Sequence, residues 1–247
     1  MKLLVCISQV PDTVTKIALK NNNTAIEEQG ITWILNPYDE WYALVRALEL
    51  KESGAATDVH LITVGRAATE ASIRKALALG GDEAIRIDAD SNDPYEVANH
   101  IAAYAKGAGY ELVLCGKESI DYHNGAVGAM LAELLDTDYI GFATSINIDN
   151  GKAIVKREIE GGEETVSCNL PAVISCQKGV AEARIPNMRG IMAARTKPLK
   201  VITPETTAAL TAILSYEMPP AKAGVKLISP DDMDELVNLL HTEAKVI

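Results

Sequence analysis

The sequence predicts an α/β fold: a mostly parallel sheet with helices on both faces. Three observations carry that expectation. Short, nearly continuous apolar runs recur, as fully buried strands require. Each is followed by a turn signal and then by a segment with helical apolar spacing. Four such units succeed one another before the pattern changes near Asp138. At 247 residues, 48% of them hydrophobic, the chain has ample material for a buried core.

Residues 2–7 read as the first buried strand, with Pro11-Asp12 as the turn beyond it. A polar stretch, Asn21-Asn22-Asn23, precedes Asn36-Pro37-Tyr38-Asp39-Glu40. Asn36 is expected to cap the first helix, with Pro37 in its first position. Ala43, Leu44, Ala47, Leu48 and Leu50 give that helix its apolar face, up to Gly54. Residues 59–64 form the second strand, ending at Gly65. Ala71, Ile73, Ala76, Leu77 and Leu79 mark a helix stopped by Gly80-Gly81. Residues 83–87 are strand-like, and Asp93-Pro94 opens a helix to about Lys106. Residues 112–115 make the fourth strand, ending at Gly116, with a helix expected from about Asn124 to Leu135.

Beyond Asp138, residues 142–148 and 152–159 alternate around Asp149-Asn150-Gly151, a hairpin turn signal. Residues 164–169 and 172–176 follow, so antiparallel strands are expected at one sheet edge. Residues 179–198 read as basic and irregular, with Arg184, Arg189, Arg195 and Lys197. Thr203-Pro204-Glu205 resembles a helix start, and residues 216–220 with Gly224 a linker or extended arm. A last helix begins at Ser229-Pro230-Asp231-Asp232, with Met233, Leu236, Val237 and Leu240 on one face. Periodicity alone leaves two places for that face: against its own domain or against a partner chain. The expected organisation is an α/β domain over residues 1–200, including a docking loop at 177–195, and a C-terminal arm and helix over 201–247.

Charge and composition remove several function classes. Lys and Arg number 23 against 34 Asp and Glu, a formal net charge of −11. No basic stripe exists for a nucleic-acid backbone, and 4% aromatic content leaves few stacking platforms for bases. The start lacks a secretory core and cleavage pattern, and no apolar run approaches the roughly 20 residues of a spanning helix. Cys6, Cys115, Cys168 and Cys176 form no C-x-x-C pair and lie in apolar stretches, the pattern of buried free thiols in a reducing compartment. A cytoplasmic protein is expected.

Open α/β sheets bind ligands at the carboxyl ends of their strands. Residues 6–13, Val64-Gly65 and residues 116–128 fall there, joined by residues 36–39. Together they can surround a nucleotide-sized ligand. Small residues precede a helix in Gly116-Lys117-Glu118-Ser119-Ile120-Asp121-Tyr122-His123-Asn124-Gly125-Ala126-Val127-Gly128, so backbone N–H groups can meet a phosphate there. A purely structural turn explains the same glycines. Asp39, Glu40, Glu118 and Asp121 fit acid–base roles, ribose binding, capping or solvation alike. The four histidines are scattered without metal-ligand spacing, and no G-x-S-x-G elbow occurs. A nucleotide binder without a catalytic constellation is the profile of a carrier or cofactor scaffold. The basic residues of 177–195 stand out in an acidic chain and suit either an acidic partner or solvent.

Several of these segments resemble the β subunit of electron transfer flavoprotein, over nearly the whole chain. The most specific stretch is Val155-Lys156-Arg157-Glu158-Ile159-Glu160-Gly161-Gly162-Glu163-Glu164-Thr165-Val166 followed by Pro171-Ala172-Val173-Ile174-Ser175. Asn36-Pro37-Tyr38-Asp39-Glu40, Ala76-Leu77-Ala78-Leu79-Gly80-Gly81-Asp82, Gly116-Lys117-Glu118-Ser119-Ile120-Asp121 and Arg184-Ile185-Pro186-Asn187-Met188-Arg189-Gly190-Ile191-Met192 are similar to family motifs in the same order.

The resemblance implies a Rossmann-like, adenine-nucleotide-binding sheet in a heterodimer whose α subunit holds most of an FAD. The β chain would wall the flavin and bind AMP, or a second FAD, in its own fold. The implied contacts are Cys6, Asn36, Pro37, Tyr38, Asp39, Val64, Gly116, Lys117, Glu118, Ser119, Ile120, Asp121, Tyr122, His123, Asn124, Gly125, Ala126 and Val127, with Tyr38 toward the flavin. AMP-holding members carry an acidic run and Asn-Gln-Thr-Gly where this chain has Asp121-Tyr122-His123-Asn124-Gly125-Ala126-Val127-Gly128, which leaves AMP and FAD both open. The implied partner-recognition loop presents Val180, in place of a leucine anchor, beside Glu182-Ala183-Arg184, and the last helix packs on the α subunit. The implied role is an electron carrier between flavin dehydrogenases, such as acyl-CoA dehydrogenases, and a downstream acceptor, rather than a catalyst in its own right. An NADH-oxidising bifurcating subunit and a stand-alone adenine-nucleotide sensor are the rival readings.

Overall fold

The computed structural model describes residues 1–222 and 224–247. The apolar runs become strands of one nine-stranded sheet. The first half of the chain supplies β1 (Lys2–Cys6), four short strands β2 (Gln9–Pro11), β3 (Leu19–Lys20), β4 (Ala25–Ile26) and β5 (Trp33–Leu35), then α1 (Asp39–Glu52) and β6 (Asp58–Val64). It continues with α2 (Glu70–Leu79), β7 (Glu83–Ile87), α3 (Pro94–Ala105), β8 (Leu112–Gly116) and α4 (Val127–Leu135). The second half adds β9 (Asp138–Asp149), β10 (Lys152–Ile159), β11 (Gly162–Asn169), β12 (Ala172–Cys176), α5 (Met188–Ala194), β13 (Leu199–Ile202) and α6 (Met233–Leu239).

The strand order is β11-β10-β9-β12-β8-β1-β6-β7-β13. Every pair from β9 to β13 is parallel, whereas β9/β10 and β10/β11 are antiparallel. From β1 the chain winds through β6 to β7 on one side, then α3 returns it to β8 on the other side of β1. The order therefore reverses between β1 and β8. Helices α1 and α2 cover one face, where Leu44, Ile73 and Leu77 pack with Leu3, Val5 and Leu61. Helices α3 and α4 cover the other, where Ile101 and Leu131 pack with Leu4, Ile62 and Val113. The alternation of side chains along each strand feeds both layers.

Local chemistry explains most boundaries. Gly80 ends α2 at φ +152°, and a Cβ there would meet the Leu48 side chain at 2.8 Å. Asp93 caps α3, its Oδ1 accepting the Glu96 N–H at 2.7 Å, with Pro94 at the first position. Asn150 and Gly151 both lie at positive φ in the β9–β10 turn, as the hairpin signal requires.

Several expectations need correction. Asn36 does not cap α1; Tyr38 occupies that position without a side-chain cap, because the Asn36 amide is committed to another loop. Helix α4 begins at Val127 rather than Asn124, since His123 (φ +51°) and Gly125 (φ +57°) are left-handed and cannot enter a right-handed helix. Residues 172–176 are not an antiparallel edge strand: β12 lies between β8 and β9, parallel to both, with all five residues buried. Their unbroken apolar run is the mark of a central strand. The segment 179–198 is not wholly irregular, because α5 forms within it behind an Asn187 cap and packs on α2. No helix starts at Thr203. Thr206, Thr207 and Thr211 are β-branched, and Thr211 bonds through its N–H and Oγ to Asp93 Oδ2 at 2.9 and 2.5 Å, an extended crossing. The expected boundary at residue 200 falls inside β13, which pairs with β7 up to Ile202. Strands of two or three residues, as in β2 to β5, have no periodicity to read.

Beyond Ile202 the arm crosses the domain. The Tyr216 N–H donates to the Asn23 carbonyl at 2.7 Å, and its hydroxyl lies by that of Tyr122. Helix α6 is capped by Asp232 and leaves Met233, Leu236 and Val237 at 51%, 37% and 47% exposure. The apolar face of the last helix is therefore not covered by its own domain.

Candidate nucleotide site at the strand ends

The strand order reverses between β1 and β8, and the carboxyl ends at such a reversal are the place where sheets of this kind receive ligands. Cys6 ends β1, and Cys115 stands beside it near the end of β8; the two buried thiols hydrogen-bond, and this contact with burial pushes the Cys6 thiol well up. Gly116 completes β8 against the start of α1. A Cβ on Gly116 would lie 2.7 Å from Glu40 Cγ, 2.9 Å from the Glu40 backbone N and 3.2 Å from Asp39 Cβ. Only glycine allows that approach.

Three loops converge on this point. Asn36 is fully buried, and its Nδ2 donates to the Glu118 carbonyl at 3.0 Å, while its Oδ1 has no partner among the described residues. Glu40, in the first turn of α1, accepts the Ser8 N–H on Oε2 at 2.5 Å and the Ser8 Oγ–H on Oε1 at 2.8 Å. Burial raises the Glu40 carboxyl to about 7, against the opposing pull of those two bonds. Asp39 is also raised, first by burial, although Lys117 and the N–H groups of Glu118 and Lys178 act in the opposite sense.

The loop from Lys117 to Ala126 is tied to β12 at its start and folded on itself in its middle. The Lys117 N–H donates to the Cys176 carbonyl at 2.8 Å, and the His123 N–H to the Ser119 carbonyl at 3.0 Å. Lys117 Nζ and His123 Nδ1 lie 3.2 and 3.5 Å from Glu118 Oε1. Burial acts upward on the Glu118 carboxyl, but its bonds to Lys117 and His123 prevail and lower it. Asp121 accepts the Tyr122 N–H at 2.9 Å. A Cβ on Gly125 would crowd the Lys117 carbonyl at 3.3 Å, and its left-handed backbone (φ +57°) favours glycine as well. Helix α4 then begins with Ala126 at the cap position and no side chain bonding its first-turn N–H groups. Uncapped amides at a helix start are donors for an anion.

The expected site residues thus divide into groups. Cys6, Asn36, Asp39 and residues 116–118 are brought together, with Pro37 half-buried between them. Tyr38 projects at 51% exposure. Val64 ends β6 one strand away from β1. Ser119 and Ile120 are half-buried, residues 121–125 line the exposed rim, and Ala126 and Val127 begin the helix. Two surface hollows of about 310 Å³ lie apart from this convergence, one between Asp12–Lys16 and Gln29–Thr32, the other around Tyr110 and Pro171. Among the described residues, no group of three His, Cys, Asp or Glu side chains is placed to hold a metal ion.

Sequence reasoning did not single out Ser8, Tyr139 or Ser175. Ser175 Oγ receives the Phe142 N–H at 3.2 Å and lies 3.0 Å from the Tyr139 hydroxyl, whose ring backs Gly128 at the start of α4. No local signal marks this trio, because β12 must insert beside β9 before it exists.

In the docking segment, Arg184 pairs with Glu52 at 2.6 Å and its carbonyl accepts from the Trp41 indole at 3.1 Å, while Glu182 is exposed. Val180 is 6% exposed and belongs to the main core. Val180→Asp is therefore expected to destabilise the fold by about 2 kcal/mol or more, seen as a lowered melting temperature. An unchanged melt would show that Val180 leaves the core readily.

Fold and strand-end loops define an α/β protein of the Rossmann-like class, with a candidate ligand site at the β1/β8 switch point. The family model described as electron transfer flavoprotein domain matches residues 23–207. Among curated relatives, the electron transfer flavoprotein subunit beta of Bacillus subtilis is 35% identical, with both chains covered in full. That of Syntrophomonas wolfei is 37% identical over 92% of this chain and 90% of its own. The human subunit is 32% identical over 94% and 95%. The chain belongs to the electron transfer flavoprotein β-subunit family. A free-standing nucleotide sensor and a dedicated bifurcating subunit are not favoured by these relatives.

Proposed function

We propose that the chain works as the β half of a heterodimeric electron carrier. It walls an FAD held mainly by an α subunit, keeps an AMP in its own crevice and docks flavin dehydrogenases through residues 177–195. The observation that carries this reading is the convergence at β1/β8. Uncapped N–H groups at the start of α4, the unpartnered Asn36 Oδ1 and the backbone cradle at Gly116 and Gly125 suit a nucleotide's phosphate and polar groups. When bound, the flavin supplies the redox chemistry. The residues of this chain position and bury it: Tyr38 from the start of α1, and Cys6, Asn36, Pro37, Asp39, Val64 and residues 116–127 around the nucleotide.

The family membership and the open face of α6 support the α-subunit assignment, with the binding domain running through β13 to Ile202 and the chain beyond it as the clasping arm. The exposed Ile185, Met188 and Met192 beside Arg189 and Arg195 give the docking segment an apolar centre with a basic rim. Among the described residues no helix is long and apolar enough to cross a membrane. Four free, buried cysteines fit a reducing compartment such as the cytoplasm.

The test is co-expression with its α subunit, followed by release and counting of bound nucleotides. One FAD and one AMP per heterodimer is the expected result. Two FAD would reassign the β crevice, and a colourless chain with no α partner would remove the carrier role. Asp39→Ala is expected to weaken AMP retention about tenfold, near 1.4 kcal/mol, measured by release into nucleotide-free buffer; unchanged retention would separate Asp39 from the site.

A further inference from the structure

Glu40 is a buried carboxyl on the first turn of α1, and three loops come together around this residue. Both of its oxygens are engaged by Ser8, from the loop after β1, through the backbone N–H and the hydroxyl. The Asn36 amide, from the segment before α1, also favours its charged form. Asn36 in turn holds the Glu118 carbonyl, from the loop after β8, at 3.0 Å. The Glu40 backbone and Cγ press on Gly116 at the root of that same loop. The chain of contacts Ser8–Glu40–Asn36–Glu118 thus joins the segments that ring the crevice.

We propose that Glu40 is a positioning residue: its carboxylate locks the loops after β1, before α1 and after β8 in one arrangement, and its ionisation sets how firmly the crevice retains nucleotide. The ionised group accepts both donors of Ser8 at once, and the Asn36 amide favours the same charged form. Protonation removes the charge that strengthens both Ser8 bonds and sets the new O–H against the Ser8 N–H or makes the Ser8 hydroxyl turn round, and the ring loosens. The groups facing Glu40 are the Cys6 thiol from β1, Ser8 from the following loop, Asn36 before α1 and the Asp121 carboxylate from the loop after β8. Asp121 repels the charged form, and the Glu40 charge in turn holds the Cys6 thiol up. Lys117 acts on the neighbouring Asp39.

With the folded value near 7, above the ordinary 4.5, the group changes charge around neutral pH. The raised value means that its contribution to fold stability is full below the ordinary carboxylate value and is lost as pH rises through about 7. Loop order is expected to move the other way, increasing as Glu40 ionises. These opposed trends separate a positioning role from a merely structural one.

The test uses the α/β heterodimer, wild type and Glu40→Gln, at about pH 6 and pH 8. Amide hydrogen-exchange protection, corrected for the intrinsic pH dependence, is read in peptides covering Ser8 and residues 117–121. Nucleotide release is measured alongside. In wild type, protection is expected to fall and release to quicken about tenfold from pH 8 to pH 6, as Glu40 goes from mostly ionised to mostly protonated. In Glu40→Gln both should be fast and equal at the two pH values. Protection in Glu40→Gln that matches wild type at both values would overturn the proposal. If that variant does not fold, Ser8→Ala decides: it removes one donor, so the midpoint of the wild-type transition should move to higher pH, and an unmoved midpoint counts against Glu40. The release measurement rests on the proposed nucleotide site, whereas the exchange measurement does not. Wild-type heterodimer without nucleotide would therefore defeat the site reading, and loop protection would still decide the role of Glu40.

Discussion

Gly116→Val is expected to destabilise the protein by about 3 kcal/mol and to strip the strand-end crevice of nucleotide. The new Cβ would fall 2.7 Å from Glu40 Cγ and 2.9 Å from the backbone N of the same residue, well inside contact distance. The Glu40 side chain can shift by giving up Ser8, but the backbone N belongs to the first turn of α1 and cannot yield alone. Helix α1 is packed into the core through Ala43, Leu44 and Ala47, so its start can retreat only by disturbing that layer. Overpacking of this kind costs about 1–3 kcal/mol, and two added methyl groups put valine at the upper end. Chemical denaturation measures the fold, and nucleotide counting measures the site. Wild-type values for both would mean that β8 and α1 stand further apart than 2.9 Å implies.

The double variant Leu236→Asp, Val237→Asp is expected to leave the α/β domain folded and to weaken heterodimer formation at least a hundredfold, about 2.8 kcal/mol. Both side chains are open in the isolated chain, at 37% and 47% exposure, so a carboxylate at either meets water and the domain melt should not move. In the complex the same carboxylates would be buried without partners on an apolar face. Size-exclusion chromatography with the α subunit reads the difference. Undiminished assembly would place the clasp elsewhere along the arm, for example at the exposed Leu210, Leu214 or Val225.

These two expectations draw on different kinds of information. The apolar stripe of α6 was legible in the sequence, since Met233, Leu236 and Val237 recur at helical spacing behind an Asp232 cap. Periodicity left its partner undecided, because an apolar stripe states that burial is needed and not where. The four strand–helix units were legible for the same reason: continuous apolar runs and glycine stops act within a few residues of themselves. The loop after β8 was legible as a candidate site from its small residues and its place before a helix. What failed was each inference that needed a distant neighbour. Asn36 looked like a cap, yet its amide spans 82 residues to Glu118. Residues 172–176 looked like an edge, and became central because β9 and β8 closed on either side. Thr203 looked like a helix start, and the arm instead stretched to reach Asp93.

By itself the sequence determined the α/β class, the succession of buried strands and covering helices, the hairpin at Asn150-Gly151 and the family. All of these rest on patterns read within one element or one motif. Only the tertiary structure decided the strand order, the meeting of Ser8, Asn36, Glu40 and Gly116 at the β1/β8 reversal, and which apolar side chains lie inside. Those depend on contacts between residues far apart in the chain. A contact of that kind exists only after the sheet has assembled, so no local pattern encodes it.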